Sequence, residues 1–195
     1  SCLEEWELSV AKRMRRQRES IKTLTKDKFL SDADVETLKE TIKTHPTMPE
    51  RTRVLFELAL RTGARAAELL DLRLADVNPD GKTIFIYGLK KGYSREIPFP
   101  PVLWQRVRNL AEKDPEGLVF RYSYEWLKKE WAKYRPNKTK RFHALRHTFG
   151  VRLYKKTRDI HLVKTAMGHK SLISTQVYVD FTYSQSELRK VLDVK

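Results

Sequence analysis

Residues 78–99 read NPDGKTIFIYGLKKGYSREIPF, and their texture decides the fold class. Asn78 to Gly81 is a turn sequence, residues 83–87 are β-branched and aromatic, a glycine-bearing turn follows, and a second short run ends at Pro98. This predicts a small antiparallel hairpin. On either side the pattern is helical. Downstream, Pro100 and Pro101 open a helix through about Lys113, residues 124–134 form another, and helical spacing resumes from about Phe142 to the end, punctuated at Gly168. Upstream, Ser31 with Asp34 three places on suits a capped helix running to about Thr44, because a hydroxyl there accepts an orphan backbone amide. Pro49 suits the first turn of a second helix carrying Leu55, Leu58 and Ala59, which Gly63 stops, and residues 64–74 read as a third. One hairpin in a helical chain predicts a mainly α domain with a small antiparallel β-sheet, spanning residues 28–181. Residues 1–27 read as a basic arm and linker built on KRMRRQR at 12–18, and residues 182–195 as a C-terminal helix with Leu188, Val191 and Leu192 at helical spacing.

Composition narrows the function. The 195 residues are 40% hydrophobic, enough for a real core, and carry a formal net charge of +15, which favours a polyanionic partner. The excess is concentrated: residues 135–170 hold eleven Lys or Arg against one acid, Asp159. Within that stretch Lys138, Lys140 and Arg141 are the expected contacts to such a partner. The single cysteine, Cys2, excludes an internal disulfide and a Cys-rich zinc site. No apolar run approaches the roughly 20 residues of a membrane span, and the first residues carry no signal-peptide pattern, so a cytoplasmic location is expected.

Three segments carry candidate chemistry. TGARAAEL at 62–69 places Arg65 where one helix ends and the next begins, a location that favours anions and where a guanidinium can fork onto a phosphate. From this segment alone an ordinary surface ion pair between Arg65 and Glu68, three residues apart, is the stronger reading. FHALRHTF at 142–149 puts Phe142, Leu145, Phe149 and Leu153 on one helical stripe, with His143 and Arg146 one turn apart on its flank. An imidazole and a guanidinium so placed suit proton transfer and oxyanion stabilisation. His143 and His147 also have the spacing of a metal pair, but position 144 is Ala where a zinc protease helix would carry Glu. MGHKSLISTQVYVDF at 167–181 breaks at Gly168, offers Ser171 as a cap, and carries Tyr178 nine residues after His169.

Taken together these segments resemble the boxes of the tyrosine recombinase (integrase) family. TGARAAEL resembles its first arginine box, His143 to Arg146 its H-x-x-R box, MGH its L-G-H box with Met167 for Leu, and Tyr178 its nucleophile. The resemblance covers roughly residues 28–181 and implies that family's catalytic-domain fold. It further implies site-specific DNA cleavage and rejoining through a 3′-phosphotyrosyl bond, with no metal or nucleotide cofactor. Arg65 and Arg146 would clamp the scissile phosphate, His143 would act as base, and His169 would donate to the phosphate. Glu68 would support the site. GLKKGYSREIP at 88–98 resembles the hairpin that bears the family's catalytic lysine, which falls on Lys90, or on Lys91 if the register is one residue off; both lysines also suit a merely solvated turn. Double-stranded DNA and self-association on DNA, as a tetrameric synapse, are the implied partners. The resemblance also implies that the terminal helix docks onto a neighbouring protomer.

Overall fold

A computed structural model describes residues 8–9, 28–89, 92–179 and 189–193. The arm over 1–27 and the tail over 182–195 lie almost wholly outside those residues, as do Lys90 and Lys91.

Helix α1, Asp32–Thr44, starts where Ser31 Oγ accepts the amide of Asp34, so the expected cap is present. It buries Val35, Leu38 and Ile42. Helix α2, Glu50–Thr62, is buried on most of its circumference through Val54, Leu55, Phe56, Leu58 and Ala59, which makes it the central post of the core. Each such side chain contributes roughly 1.5–3 kcal/mol of burial. The helix ends at Gly63, whose φ of +59° is left-handed, and a Cβ there would meet the Phe149 ring at 2.5 Å.

The next helix, α3, is only Ala66–Leu70, against the expected 64–74. Tertiary backbone pairing overrides helical propensity here. The Leu74 amide donates to Gly117 O and the Val119 amide to Leu72 O, pulling residues 72–74 out to meet a neighbouring loop. A 3-10 turn at Leu74–Asp76 leads into the sheet: β1 (Val77–Asn78), β2 (Thr83–Ile86) and β3 (Arg95–Pro98), all antiparallel in the order β1-β2-β3. The predicted hairpin is β2 and β3, with Ile84 opposite Ile97 and Ile86 opposite Arg95. The two-residue β1 was not foreseen.

Helices α4 (Pro101–Glu112) and α5 (Tyr124–Tyr134) fall where the sequence placed them. The C-terminal helical stretch is not continuous before Gly168. It divides into α6 (Ala144–Thr157) and α7 (Ile160–Met167), because Arg158 turns left-handed at φ +54° and the Asp159 carboxylate accepts the amides of His161 and Leu162. Helix α8, Ile173–Val179, follows with Ser171 accepting the Ile173 amide. The large core of α1 to α5 extends to Phe142 and Leu145, whereas Val151, Tyr154, Val163, Met167 and Tyr178 form a second, smaller one. Helix α6 lies between the two. Among the described residues no helix is long and apolar enough to cross a membrane.

Candidate active site

Two glycine turns and one arginine frame the site. Arg146 projects from α6 and is 3% exposed; its Nη1 donates to Gly63 O at 2.7 Å and its Nη2 to Met167 O at 3.0 Å. One guanidinium therefore ties the end of α2 to the end of α7. Gly168, which ends α7 with φ +68°, could not carry a side chain, since a Cβ would stand 2.5 Å from Tyr93 O. Arg65 and His169 each lie just past one of these turns. The spacing of the three boxes in the chain becomes a single cluster through Arg146.

Arg65 caps α3, and its backbone amide and Nη1 both bond to the Glu68 carboxylate, at 2.8 and 3.2 Å. The ion pair anticipated from the sequence is real, but it is not a surface pair. Glu68 has no exposed side-chain surface and also accepts Arg95 Nη2 at 3.1 Å. Burial alone would raise the Glu68 pKa, but the bond and charge of Arg95, the Arg65 amide and the charge of Arg146 outweigh it and hold the carboxyl below its ordinary value. The carboxylate is thus ionised, and the 37% exposed Arg65 side chain still has donors facing solvent. Arg95 was not singled out from sequence. It also donates Nε to Ala166 O at 2.9 Å, which, with the Tyr93 amide donating to Gly168 O, fastens the hairpin to the end of α7.

Tyr178 is 2% exposed on α8, with its ring against Gly150 of α6, where a Cβ would come within 2.6 Å of it. Its hydroxyl lies 3.2 Å from His147 Nδ1. His169 stacks parallel to the Tyr178 ring at 6.3 Å between centroids, and its Nδ1 shares a 2.9 Å hydrogen bond with the buried Thr175 hydroxyl. His143 packs edge-on to His147, with centroids 4.7 Å apart. The site thus contains three imidazoles where the sequence suggested two. The signal for His147 was its position beside Arg146, one turn from His143.

The electrostatics are those of a largely buried cluster with cations around it. Burial pushes the Tyr178 hydroxyl up to about 12, against the opposing charges of Arg146 and Arg65. Burial first, then the neighbouring cations and imidazoles, lowers His147 to about 4 and His169 to about 3. His143 is shifted down as well, by desolvation and then by Arg146 and Arg65, although it stands on the exposed lip. Arg146 falls to about 10, chiefly through burial and then Arg65, and so stays charged at neutral pH. At pH 7 the His147 and His169 rings and the phenol are therefore neutral, while Arg146 is positive.

Lys138 and Arg141 are exposed, but Lys140 is 8% exposed, and its carbonyl accepts the Trp131 indole. The surface contribution of that segment therefore comes from the first two, and the expected DNA contact of Lys140 does not fit its burial. Lys90 lies outside the described residues. Among those residues no group of three His, Cys, Asp or Glu side chains is arranged to hold a metal ion.

Residues 28–185 match the phage integrase family. The chain is 29% identical over 177 residues to tyrosine recombinase XerA of Pyrococcus furiosus, an overlap of 81% of this chain and 59% of that protein. It is 30% identical over 174 residues to XerC of Mesorhizobium japonicum, covering 80% and 55%. It therefore spans little more than half the length of these relatives. Among solved structures, the XerH site-specific recombinase bound to difH substrate before cleavage matches with a TM-score of 0.68 at 25% identity, over 89% of this chain and 55% of that one. The catalytic domain of bacteriophage HP1 integrase matches with a TM-score of 0.61 at 22% identity, covering 86% and 95%. The fold is that of tyrosine recombinase catalytic domains, and the chain belongs to the phage integrase family.

Proposed function

We propose that this domain cleaves and rejoins duplex DNA through a covalent bond between Tyr178 and a 3′-phosphate. The observation that carries this reading is the convergence of Tyr178, Arg65, Arg146, His143 and His169, distant in sequence, on one crevice held by Arg146. Relatives that include a recombinase bound to its DNA substrate before cleavage support it. Arg65 and Arg146 hold the nonbridging oxygens and stabilise the charge that grows there, the part a metal ion plays in other phosphoryl-transfer sites. His169 donates to the phosphate, and His143 is the base that the family likeness assigns. As Tyr178 Oη bonds to phosphorus, the P–O5′ bond breaks and Lys90 protonates the departing oxygen. The phosphotyrosyl bond conserves the energy of the phosphodiester, so a partner 5′-hydroxyl reverses the step with no nucleotide cofactor. Lys138 and Arg141 contact the DNA backbone, and copies of the protein assemble on DNA as a tetramer through the tail over 182–195.

The buried hydroxyl must be uncovered for a phosphate to reach it, so DNA binding exposes it where it stands. The test is incubation with a nicked duplex of the protein's native flanking DNA, followed by denaturing electrophoresis. A protein-linked DNA band is expected, and Tyr178→Phe should bind the duplex without forming it. An adduct that persists in Tyr178→Phe would move the nucleophile elsewhere, with Tyr183 next in line. A bridging 5′-sulfur, which leaves without a proton, should restore cleavage in Lys90→Ala; rescue of Lys91→Ala instead would shift the hairpin register by one.

A further inference from the structure

A bond on the reactive hydroxyl comes from a side chain outside the assigned set. His143, Arg146 and His147 share one face of α6, and it is His147, half-buried, whose Nδ1 lies 3.2 Å from Tyr178 Oη. His143 stands one ring further out, edge-on to His147. With the phenol near 12 and the imidazole near 4 both groups are neutral, and in the tautomer that carries its hydrogen on Nε2 the hydroxyl donates and Nδ1 accepts. Gly150, one turn further along α6, leaves the space in which the Tyr178 ring makes this approach.

We infer that His147 is the immediate acceptor of the Tyr178 proton when the hydroxyl attacks, and that its Nδ1 fixes where that hydroxyl stands. The inference rests on the strand-cleavage reading above and relocates the first proton transfer from His143 to the ring between them. In that step the O–H bond of Tyr178 breaks as Oη–P forms. The proton passes to Nδ1, giving an imidazolium, and the electron pair of the broken P–O5′ bond leaves with the 5′-oxygen. Resealing returns the proton to Oη.

The resting site alone does not make the transfer easy. At a pKa of about 12, roughly one phenol in 10⁵ is ionised at pH 7. The groups bearing on His147 are His143 and Arg146 on its own helix, Lys28 ahead of α1, Tyr178 from α8 and His169 from the turn after α7. A phosphate entering between the arginines adds negative charge, which raises the imidazole but also offsets the cations that lower the phenol. The transfer therefore does not precede attack: the proton leaves as the forming Oη–P bond makes the hydroxyl acidic.

Two measurements on the protein decide the point. Long-range ¹H–¹⁵N spectra at pH 7 should show His147 as the neutral Nε2–H form, with an Nδ1 signal that shifts in Tyr178→Phe. On the nicked duplex, His147→Asn, which keeps an acceptor near the Nδ1 position but is no base, should slow adduct formation by about 10²–10⁴-fold. A fluorinated, more acidic tyrosine at position 178 should recover much of that loss. The same tyrosine in His143→Asn should bring no comparable recovery. A wild-type rate in His147→Asn, a loss insensitive to phenol acidity, or fluorotyrosine rescue confined to His143→Asn would each overturn the inference while leaving the cleavage reading intact. A wild-type protein that forms no adduct would overturn both.

Discussion

Replacing Gly150 with alanine separates the placement of Tyr178 from the rest of the site. The added Cβ would stand 2.6 Å from Tyr178 Cε2, 2.7 Å from Cζ and 2.9 Å from Met167 Sδ, whereas ordinary contact begins near 3.4 Å. Relief requires the ring to retreat by about 0.8 Å, the difference between those distances. Overpacking of this size costs about 1–3 kcal/mol, but alanine is preferred to glycine inside a helix by about 1 kcal/mol, so the net loss of stability is about 0–2 kcal/mol. The chemical effect is larger, because a misplacement of about 1 Å costs on the order of 10²-fold in rate. Gly150→Ala should therefore fold and bind DNA almost as the parent does, yet form the covalent adduct about 100-fold more slowly. Adduct formation on the nicked duplex, with thermal unfolding and a binding titration alongside, measures all three. An adduct rate within twofold of the parent would refute the claim that this glycine seats the tyrosine.

Three further outcomes rest on the same neighbourhood. Glu68→Gln removes the carboxylate shared by Arg65 and the buried Arg95 and should lower stability by about 3–5 kcal/mol in urea unfolding; a loss below about 1 kcal/mol would show that the network is not needed. His147 and His169 have folded pKa values depressed to about 4 and about 3, below the unfolded value near 6.5, so the stability they confer is present above pH 6.5 and lost as pH falls through the folded values. Unfolding free energy should fall between pH 6.5 and 5 by up to about 1.4 kcal/mol per pH unit per histidine, and a flat profile there would contradict their burial as neutral rings. Replacing Lys138 and Arg141 together should make the log-log salt dependence of DNA binding shallower by about 0.9 for each phosphate no longer neutralised, while Lys140→Ala, at a buried position, leaves that slope alone.

The fold was readable wherever local chemistry decided it. Ser31, Pro49, Gly63 and Pro101 each mark a helix boundary through a hydrogen bond or a backbone angle that the residue itself supplies. Legibility ended where distant backbone took over. Residues 71–74 have helical composition but are drawn to the loop at 117–119, and Arg158 adopts a left-handed turn that no glycine announces. The site divides in the same way. Arg65, His143, Arg146, His169 and Tyr178 stood out as candidates because their segments have characteristic spacing, and the described structure gathers them. Arg95 and His147 were not legible in these roles, because a buried arginine on a short strand and a second histidine on a helix carry no signal until the neighbouring elements are in place.

Arg146 holds two carbonyls that lie 83 and 21 residues away from it in the chain. A lysine there would keep the positive charge but offer one ammonium to two carbonyls and an incoming phosphate, so loss of activity in such a variant would measure disassembly as well as electrostatics. The dependence also runs the other way: the guanidinium is aimed only once both loops have closed around it. A partly unfolded chain therefore has a tyrosine, an arginine and several histidines but no cluster that brings them together. The cluster exists only in the folded chain, and it comes apart wherever either of those two contacts is lost.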